Sequence, residues 1–397
     1  MTALTLCALT ALLRTPFEQA ANKLSNTIEV PFKIGESAII VDAVINGKPL
    51  SLMFDTGFSG EVVLGDTINI GKPTGSMTLR DFVGQFEAPT VKLTSMKIGA
   101  LSVDTKDMEA VMQRGGDMSF SYNTHTDGIL GLGALAEYVT EINFEKLKFI
   151  FHPKNYDITK MSPDGKKTFL CKLLPIGNNS MEMEVVASTG KKLTLALDTG
   201  NSFYATTHKD VLERVGMWVP GTEPKFVRSS FVASGPVDSW TKKLRDVTIF
   251  GVPVKTSVWD IIDLPSSSAE GDGTVGFGFL RNFNITFDME RRRVWLDNFN
   301  GKVDSEEEGD LGIIAAFDQR AKRVRVYRVS NGSPAEKQNV KRGDAILSID
   351  GEDPGNATYR QMMNLLKGPI GSKVKLALSR DGQLIRVEVE RQALIND

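Results

Sequence analysis

The feature that most constrains this chain is a duplicated pattern of strand, turn and strand that ends in Asp-Thr-Gly. In the first copy an Asn-Gly turn ending at Gly47 is followed by an apolar strand that leads into Asp55. In the second copy a turn ending at Gly190 is followed by an apolar strand that leads into Asp198. The distance from turn glycine to aspartate is eight residues in both copies. Glycine turns between alternating apolar residues are typical of β-hairpins, so both copies are predicted to be hairpins.

The two copies also end alike. The sequence Asp-Gly-Ile-Leu-Gly begins at Asp127, 72 residues after Asp55, and Asp-Gly-Thr-Val-Gly begins at Asp272, 74 residues after Asp198. A pair of short apolar strands follows each motif. Several landmarks in one order at nearly one spacing indicate a duplicated unit, and short strands separated by turns make both units mostly β.

The length of 397 residues exceeds what one hydrophobic core usually serves, so two or three domains are expected. The predicted fold is mostly β, with two duplicated β-barrel-like lobes that form a pseudo-dimer, and a small α+β domain. The predicted boundaries are 1–25 for a signal or N-terminal extension, 26–155 for lobe 1, 156–298 for lobe 2, 299–309 for an acidic, solvated linker and 310–392 for the α+β domain.

Composition removes several classes of function. The 47 basic and 49 acidic residues nearly cancel, which gives no electrostatic reason to expect nucleic acid as a partner. Two cysteines, Cys7 and Cys171, cannot make a disulfide framework or a cysteine zinc site. The three histidines lack metal-ligand spacing, and no glycine-rich phosphate loop is present. We therefore expect no metal and no cofactor.

The N-terminal segment is a short apolar run, Thr2–Leu13, followed by Arg14. It is too short to span a bilayer and is typical of the apolar part of a signal peptide, although a basic start is missing. We therefore expect a secreted or periplasmic protein. The alternative is a cytoplasmic protein in which this segment is a frayed N-terminal helix or results from a misplaced start codon. No later apolar run is long enough for a transmembrane helix, so no integral membrane span is expected.

Two aspartates in equivalent positions of a repeat suggest a specific chemistry. A single Asp-Thr-Gly is usually a turn, since Asp and Gly are common turn residues. Two carboxylates brought together by a pseudo-dyad cannot both ionise cheaply, because like charges repel at close range. The pair would share one proton and so provide a base to activate water and an acid to protonate a substrate.

Both Asp-Thr-Gly motifs and the apolar-apolar-Gly motif of lobe 1 resemble those of the pepsin and retropepsin family, over roughly residues 28–298. The resemblance implies an aspartic endopeptidase that acts on a protein or peptide substrate, with Asp55 and Asp198 as the catalytic pair. Both lobes lie in one chain, so a monomer is expected. The resemblance also implies the supporting residues of the catalytic loops, which are Thr56, Gly57, Thr199 and Gly200.

The sequence departs from the family pattern near both aspartates. Phe58 and Asn201 stand where the pepsin branch usually has a hydroxyl residue, and Thr274 stands where an apolar residue is usual. Loss of a donor to an ionised carboxylate raises its pKa, so a pH optimum less acidic than that of digestive pepsins is expected. The resemblance also implies a flap, a β-hairpin that covers the cleft, in one or both lobes. The candidates are Met77–Phe86 around Gly84 and Val227–Val237 around Gly235. In the first candidate Phe82 stands where pepsins have a tyrosine.

The C-terminal region carries a second set of motifs. Leu311-Gly312-Ile313-Ile314 is followed by a strand, by Gly-Ser-Pro-Ala-Glu and by Arg-Gly-Asp-Ala-Ile-Leu-Ser-Ile-Asp-Gly, with a helix and two strands at the end. Residues 310–392 resemble a PDZ domain of the kind attached to bacterial proteases. The resemblance implies that Leu311, Gly312, Ile313 and Ile314 receive the carboxylate of a C-terminal peptide ligand, which adds to the sheet as a strand. The alternative is a small domain with a closed groove that caps the protease.

Two other functions remain open at this point. One is a catalytically silent peptide-binding or scaffolding protein with a protease-like fold, although both loops are intact. The other is a self-processing or regulatory protease that acts on few partners.

Overall fold

The computed structural model describes residues 25–35, 37–80, 85–113, 125–153, 155–176, 180–232, 235–264, 266, 271–357 and 359–396. The predicted signal segment with Cys7 lies outside the described residues. The tip of each predicted flap, at residues 81–84 and 233–234, lies outside them as well.

The regular elements of the described residues before position 299 are mostly β-strands. Alternation of apolar and polar residues and frequent glycine turns favour strands of this length. The first strands are β1 Ile28–Pro31, β2 Lys33–Ile34, β3 Ile39–Ile45, β4 Lys48–Asp55, β5 Val62–Gly65, β6 Gly75–Arg80, β7 Gln85–Lys92, β8 Met96–Ile98, β9 Leu101–Val103, β10 Glu109–Gln113, β11 Gly128–Gly131, β12 Val139–Asn143 and β13 Lys148–His152. The next elements are β14 Thr168–Lys172, β15 Glu182–Val186, β16 Lys192–Leu197, β17 Ala205–His208, α1 Lys209–Val215, β18 Arg228–Val232, β19 Gly235–Ile249, β20 Val252–Ile262, β21 Gly273–Val275, α2 Phe277–Leu280, β22 Phe283–Asp288 and β23 Arg293–Asn298.

Three sheets build residues 28–298, which we call the body. The N-terminal sheet has the order β6-β7-β10-β5-β11-β4-β3-β8-β9, with β2 paired to β3. The middle sheet has the order β15-β16-β21-β17-β20-β19-β18, and β15 also pairs with β19, which joins the two sides of this sheet. Both predicted hairpins are present, as β3 with β4 and β15 with β16.

The third sheet, which we call the shared sheet, draws on both ends of the body. Its order is β1-β13-β12-β22-β23-β14, and all of its pairs are antiparallel. At its centre β12 pairs with β22, with Ile142 opposite Ile285. Both side chains are fully buried in a hydrophobic core that continues from the N-terminal sheet into the middle sheet.

The C-terminal region forms a separate α+β unit with its own core. Its five-stranded sheet has the order β25-β26-β27-β28-β29, so β25 is an edge strand, and β24 pairs with β30 in a small second sheet. The helix that the sequence predicts near the end of this region is Tyr359–Leu366. The elements are β24 Gly309–Asp310, β25 Ile313–Asp318, β26 Arg323–Val329, α3 Pro334–Lys337, β27 Ala345–Ile349, α4 Tyr359–Leu366, β28 Lys373–Arg380, β29 Gln383–Glu390 and β30 Gln392–Ala393.

The acidic linker was expected to be solvated, and the side chains of Glu306 and Glu308 are 72% and 66% exposed. The structure adds contacts that tie this linker to the body. Asp304 Oδ1 accepts hydrogen bonds from the N–H groups of Lys255 and Thr256 at 2.8 and 2.9 Å, which fixes the linker along β20. Lys243 Nζ lies 2.6 Å from Glu307 Oε2. The acidic residues therefore satisfy backbone and lysine donors of the body instead of facing water alone.

Candidate functional site

The two Asp-Thr-Gly loops begin in equivalent surroundings. Strand β4 ends at Asp55 and runs parallel to β11, with Asp55 opposite Gly131. Strand β16 ends at Leu197, just before Asp198, and runs parallel to β21, with Leu197 opposite Val275. Each aspartate thus leaves a buried strand beside the glycine motif that follows it in its own repeat.

The two loops are cross-linked through their threonines. The N–H of Thr56 donates to Thr199 Oγ1 at 3.1 Å, and the N–H of Thr199 donates to Thr56 Oγ1 at 3.0 Å. Each hydroxyl then donates across the site, from Thr56 to the Leu197 carbonyl at 2.7 Å and from Thr199 to the Phe54 carbonyl at 2.9 Å. Four reciprocal hydrogen bonds between buried groups hold the loops at a fixed separation.

The loop glycines allow the two carboxylates to approach. A Cβ added at Gly57 would lie 2.6 Å from Cγ of Asp198, and a Cβ added at Gly200 would lie 2.5 Å from Cγ of Asp55. Contacts this short are impossible for a real side chain, so each glycine leaves the space that the opposite carboxylate occupies.

The electrostatics of the pair follow from this geometry. Asp55 and Asp198 are fully buried. Burial raises the pKa of Asp55 well above its usual range, and the charge of Asp198 and a hydrogen bond with it raise it further. Asp55 Oδ1 accepts the Gly57 N–H at 2.8 Å, which stabilises the ionised form in part. Asp198 Oδ1 accepts the N–H groups of Gly200 and Asn201 at 2.8 and 3.1 Å. A pair that shares one proton can donate and accept a proton at the same place.

Two departures from the family pattern are linked in the structure. Asn201 Nδ2 donates to Thr274 Oγ1 at 2.7 Å and to Thr206 Oγ1 at 2.9 Å. Threonine in the second glycine motif is thus an acceptor for the asparagine that follows the second Asp-Thr-Gly. Phe58 has a different role, because it packs in an apolar cluster with Met53 and Ile129. Sequence reasoning identified each departure and missed this network, since its partners are up to 73 residues apart.

The aspartates that open the glycine motifs have a structural role. Asp127 Oδ2 accepts the N–H of Ser51 at 2.8 Å, and Asp272 Oδ2 accepts the N–H of Thr194 at 2.9 Å. Ser51 and Thr194 both stand four residues before the paired aspartates. The repeat is therefore symmetric in its hydrogen bonds as well as in its sequence.

The histidines lie apart from the carboxylate pair in their contacts. His125 faces Asp127 at 3.4 Å, His152 Nε2 lies 3.2 Å from Glu141, and His208 Nδ1 lies 2.8 Å from the Leu264 carbonyl. Within the described ranges no group of three or more His, Cys, Asp or Glu side chains is placed to hold a metal ion. The same residues include no helix that is long and apolar enough to cross a bilayer.

The predicted carboxylate-binding loop lies between β24 and β25. Gly312 has φ +79°, and a Cβ there would meet Ser333 Cβ at 2.3 Å, so the position requires glycine. Leu311 is fully buried, and Ile313 and Ile314 are nearly so. The Ile313 backbone already belongs to edge strand β25, where it pairs with Val329.

Comparison with known families identifies this unit. The family model described as "PDZ domain" matches residues 309–390. The C-terminal region is a PDZ domain. The prediction of a PDZ domain in this region is confirmed.

Curated relatives match over limited stretches. The chain is 32% identical over 71 residues to "Carboxy-terminal processing protease CtpA" of Bacillus subtilis, which is 18% of this chain and 15% of the relative. It is 30% identical over 135 residues to "Periplasmic serine endoprotease DegP" of Salmonella typhimurium, which is 31% of this chain and 26% of the relative. A "Probable CtpA-like serine protease" of Staphylococcus haemolyticus is 27% identical over 81 residues, 20% of this chain and 16% of the relative. The chain thus spans about a quarter or less of the length of these relatives.

Two solved structures are also similar in part. A "Photosystem II D1 C-terminal processing protease" is 27% identical, covers 23% of this chain and 25% of its own, and has a TM-score of 0.22. An "aspartic proteinase from Irpex lacteus" is 14% identical, covers 69% of this chain and 98% of its own, and has a TM-score of 0.43. Neither score is high enough to carry an inference about the fold.

These comparisons contradict the function expected from the sequence. The curated relatives are named as serine or processing proteases, and DegP is a serine endoprotease by name. An aspartic mechanism finds no support among them. The expectation of an aspartic endopeptidase is therefore wrong. The comparisons support only that the relatives are proteases and that this chain, like them, has a PDZ domain.

Proposed function

We propose that this chain is a protease whose PDZ domain binds its peptide substrates. The PDZ match over residues 309–390 carries this proposal, because the curated relatives are proteases by name. Supporting it, β25 is an edge strand with α4 packed beside it, so an extended peptide has a strand to pair with. Residues 311–314 are proposed as the loop that receives the end of this peptide. The name of DegP, a periplasmic protein, supports export of this chain as well.

We also propose that the body is two duplicated lobes, 26–155 and 156–298, and that Asp55 and Asp198 are its functional residues. The two aspartates are proposed to be held in position by the loop residues Thr56, Gly57, Thr199 and Gly200. Support comes from the buried, cross-linked loops and from the raised pKa of Asp55. The role proposed for the pair is to hold a shared proton at the junction of the two loops.

Cleavage of a pool of synthetic decapeptides between pH 4 and 8, followed by mass spectrometry, tests these proposals. The variants are Asp55→Asn and Asp198→Asn, and the matched control is Asp42→Asn, whose side chain is 73% exposed. Each protein is assayed with and without a fluorophosphonate, which modifies activated serines.

Cleavage by the wild type and the control that is lost in both variants and unaffected by the fluorophosphonate supports the proposed pair. Cleavage that the fluorophosphonate blocks, and that both variants retain, supports a protease and overturns the pair. If no protein cleaves while the pool binds, the protease proposal fails and a peptide-binding protein remains.

A further inference from the structure

The loop proposed to receive a peptide carboxylate already holds a carboxylate of its own chain. Asp310 stands immediately before this loop, and its Oδ1 accepts the N–H of Gly312 at 2.7 Å. The backbone of Asp310 is fixed by pairing of β24 with β30, where it lies opposite Gln392. The Asp310 side chain is only 11% exposed. One backbone donor of the loop is therefore engaged before any ligand arrives.

A cation of the body completes this internal arrangement. Arg228, the first residue of β18, donates from Nη2 to Asp310 Oδ2. Its Nη1 lies 3.2 Å from Thr241 Oγ1, and its side chain is 19% exposed. A carboxylate held by a backbone N–H on one oxygen and by a guanidinium on the other is bound as a terminal carboxylate of a peptide would be.

Part of the groove is available to a strand. In the five-stranded sheet of the described residues β25 pairs with β26 alone, and α4 packs against β25. At the far end of β25 the N–H of Phe317 donates to the Ala357 carbonyl at 2.9 Å, so an added strand would pair with the part of β25 nearer the loop. An added peptide would lie along β25 and end at the loop, next to Asp310. Two carboxylates at this point would repel each other and would need the same donors, so only one of them can occupy the site at a time.

We propose that Asp310 is an internal competitor for peptide C-termini: a peptide with a free terminal carboxylate binds the PDZ domain by displacing Asp310 from Gly312 and Arg228. This inference rests on the peptide binding proposed above. A peptide whose end is amidated carries no negative charge to pair with Arg228, so it competes with Asp310 for these donors much more weakly. The wild-type domain accordingly discriminates little between free and amidated peptide ends, and removal of the internal carboxylate creates a preference for the free acid.

Fluorescence anisotropy with the full chain tests this proposal. The probe is a pool of fluorescein-labelled decapeptides of random sequence that end in Val, Leu or Phe, made once as free acids and once as amides. For Asp310→Ala we expect the acid pool to bind about tenfold more tightly than to the wild type, because Gly312 and Arg228 are freed, with the amide pool unchanged. For Arg228→Gln we expect weaker binding of the acid pool, because Asp310 keeps its hold on Gly312 while the cation is lost.

The matched control is Asp238→Asn. It breaks a second ion pair between the PDZ domain and the body, Arg328 with Asp238, without touching the loop. Its ratio of acid to amide affinity should therefore equal that of the wild type. Thermal unfolding shows whether each variant is folded. If Asp310→Ala does not fold, Arg228→Gln still tests the proposal. Equal ratios in all four proteins would overturn this inference alone. Absence of binding by either pool to any folded variant would overturn the proposed peptide binding with it.

Discussion

The geometry of the carboxylate pair depends most directly on two side-chain hydroxyl groups, those of Thr56 and Thr199. Each accepts one hydrogen bond from the opposite loop and donates another to a buried carbonyl. Thr199→Val removes the acceptor and the donor at nearly constant volume and leaves the Thr56 N–H and the Phe54 carbonyl without these partners. We expect a loss of about 2–4 kcal/mol in the free energy of unfolding, measured by urea denaturation.

Thr199→Ser is the control, because it keeps the hydroxyl and loses one methyl group. A stability close to that of the wild type is expected for it. Equal losses for the valine and serine variants would mean that packing, and not the cross-link, holds the loops.

Asp260 is a buried residue of the middle sheet, and its carboxyl group is separate from the pair formed by Asp55 and Asp198. Its Oδ2 accepts the hydroxyl of Ser230 at 2.7 Å. Burial raises its pKa to about 6, although Ser230 and the nearby Arg228 lower it in part. The folded protein therefore holds a proton that the unfolded chain releases near its ordinary value of 3.8. The contribution to stability is fully present below that value and is lost as the pH rises toward 6.

Asp260→Asn keeps an acceptor for Ser230 and removes the titration. The free energy of unfolding of the wild type minus that of this variant should fall by about 3 kcal/mol between pH 3.5 and 7, at about 1.4 kcal/mol per pKa unit. Denaturant titrations at several pH values measure it. Asp42→Asn, at an exposed site, is the control and should run parallel to the wild type. A difference for Asp260→Asn that is constant with pH would contradict the prediction.

Sequence reasoning found the paired aspartates because a repeat states its equivalent positions directly. It could not find the Asn201 network or the ion pair of Asp310 with Arg228. The partners of Asn201 and of Asp310 are set by how strands distant in sequence come together, as with Arg228 and Asp310, which are 82 residues apart. Only the three-dimensional structure shows which donor group forms a hydrogen bond with a given buried acceptor.

Among the elements, the last residues of the chain join the PDZ domain to strands β18 and β19. Asn396 Oδ1 accepts the Lys225 N–H at 2.5 Å, and its backbone N–H donates to the Thr241 carbonyl at 2.9 Å. Ser330 of the PDZ domain donates to the Val227 carbonyl at 2.7 Å. The segment that enters the second predicted flap is thus held by the domain that is proposed to bind peptides.

Asn396→Ala should loosen this attachment. We expect amide exchange in residues 225–241 to become about tenfold faster, because the side-chain hydrogen bonds to this segment are lost, while exchange in the shared sheet stays unchanged. Hydrogen exchange with mass spectrometry measures both. Asn69→Ala, at an exposed turn where Asn69 accepts the Gly71 N–H, is the control. Unchanged exchange at 225–241 would show that Ser330 and the ion pairs are sufficient for the attachment.

At the scale of the molecule, we expect the shared sheet to make the body unfold as one cooperative unit. Ile285 is fully buried where β22 meets β12. Ile285→Ala should lower the free energy of unfolding by about 2–5 kcal/mol and shift one transition that includes both the N-terminal and the middle sheet. Calorimetry and limited proteolysis across the transition measure it. Ile370→Ala, at a side chain that is 53% exposed, should have little effect. Separate melting of the two sheets would contradict this prediction.

The mostly β character and the PDZ domain were predictable, because alternation, glycine turns and local motifs are written in short stretches of sequence. The shared sheet was not, because nothing in β12 or β22 alone specifies a partner about 140 residues away. The contacts of the acidic linker with the body were not predictable for a related reason. Charge density suggested solvation, and the structure supplies backbone donors of β20 that the sequence does not reveal.

The shared sheet also has a consequence for how the chain can be divided. A cut between β13 and β14 separates a piece that holds β1, β12 and β13 from a piece that holds β14, β22 and β23. Each piece then exposes one free edge of an apolar strand, β12 or β22, that fits the edge of the other. The two pieces are natural halves for complementation, in which reassembly across one strand seam would bring the two Asp-Thr-Gly loops back together.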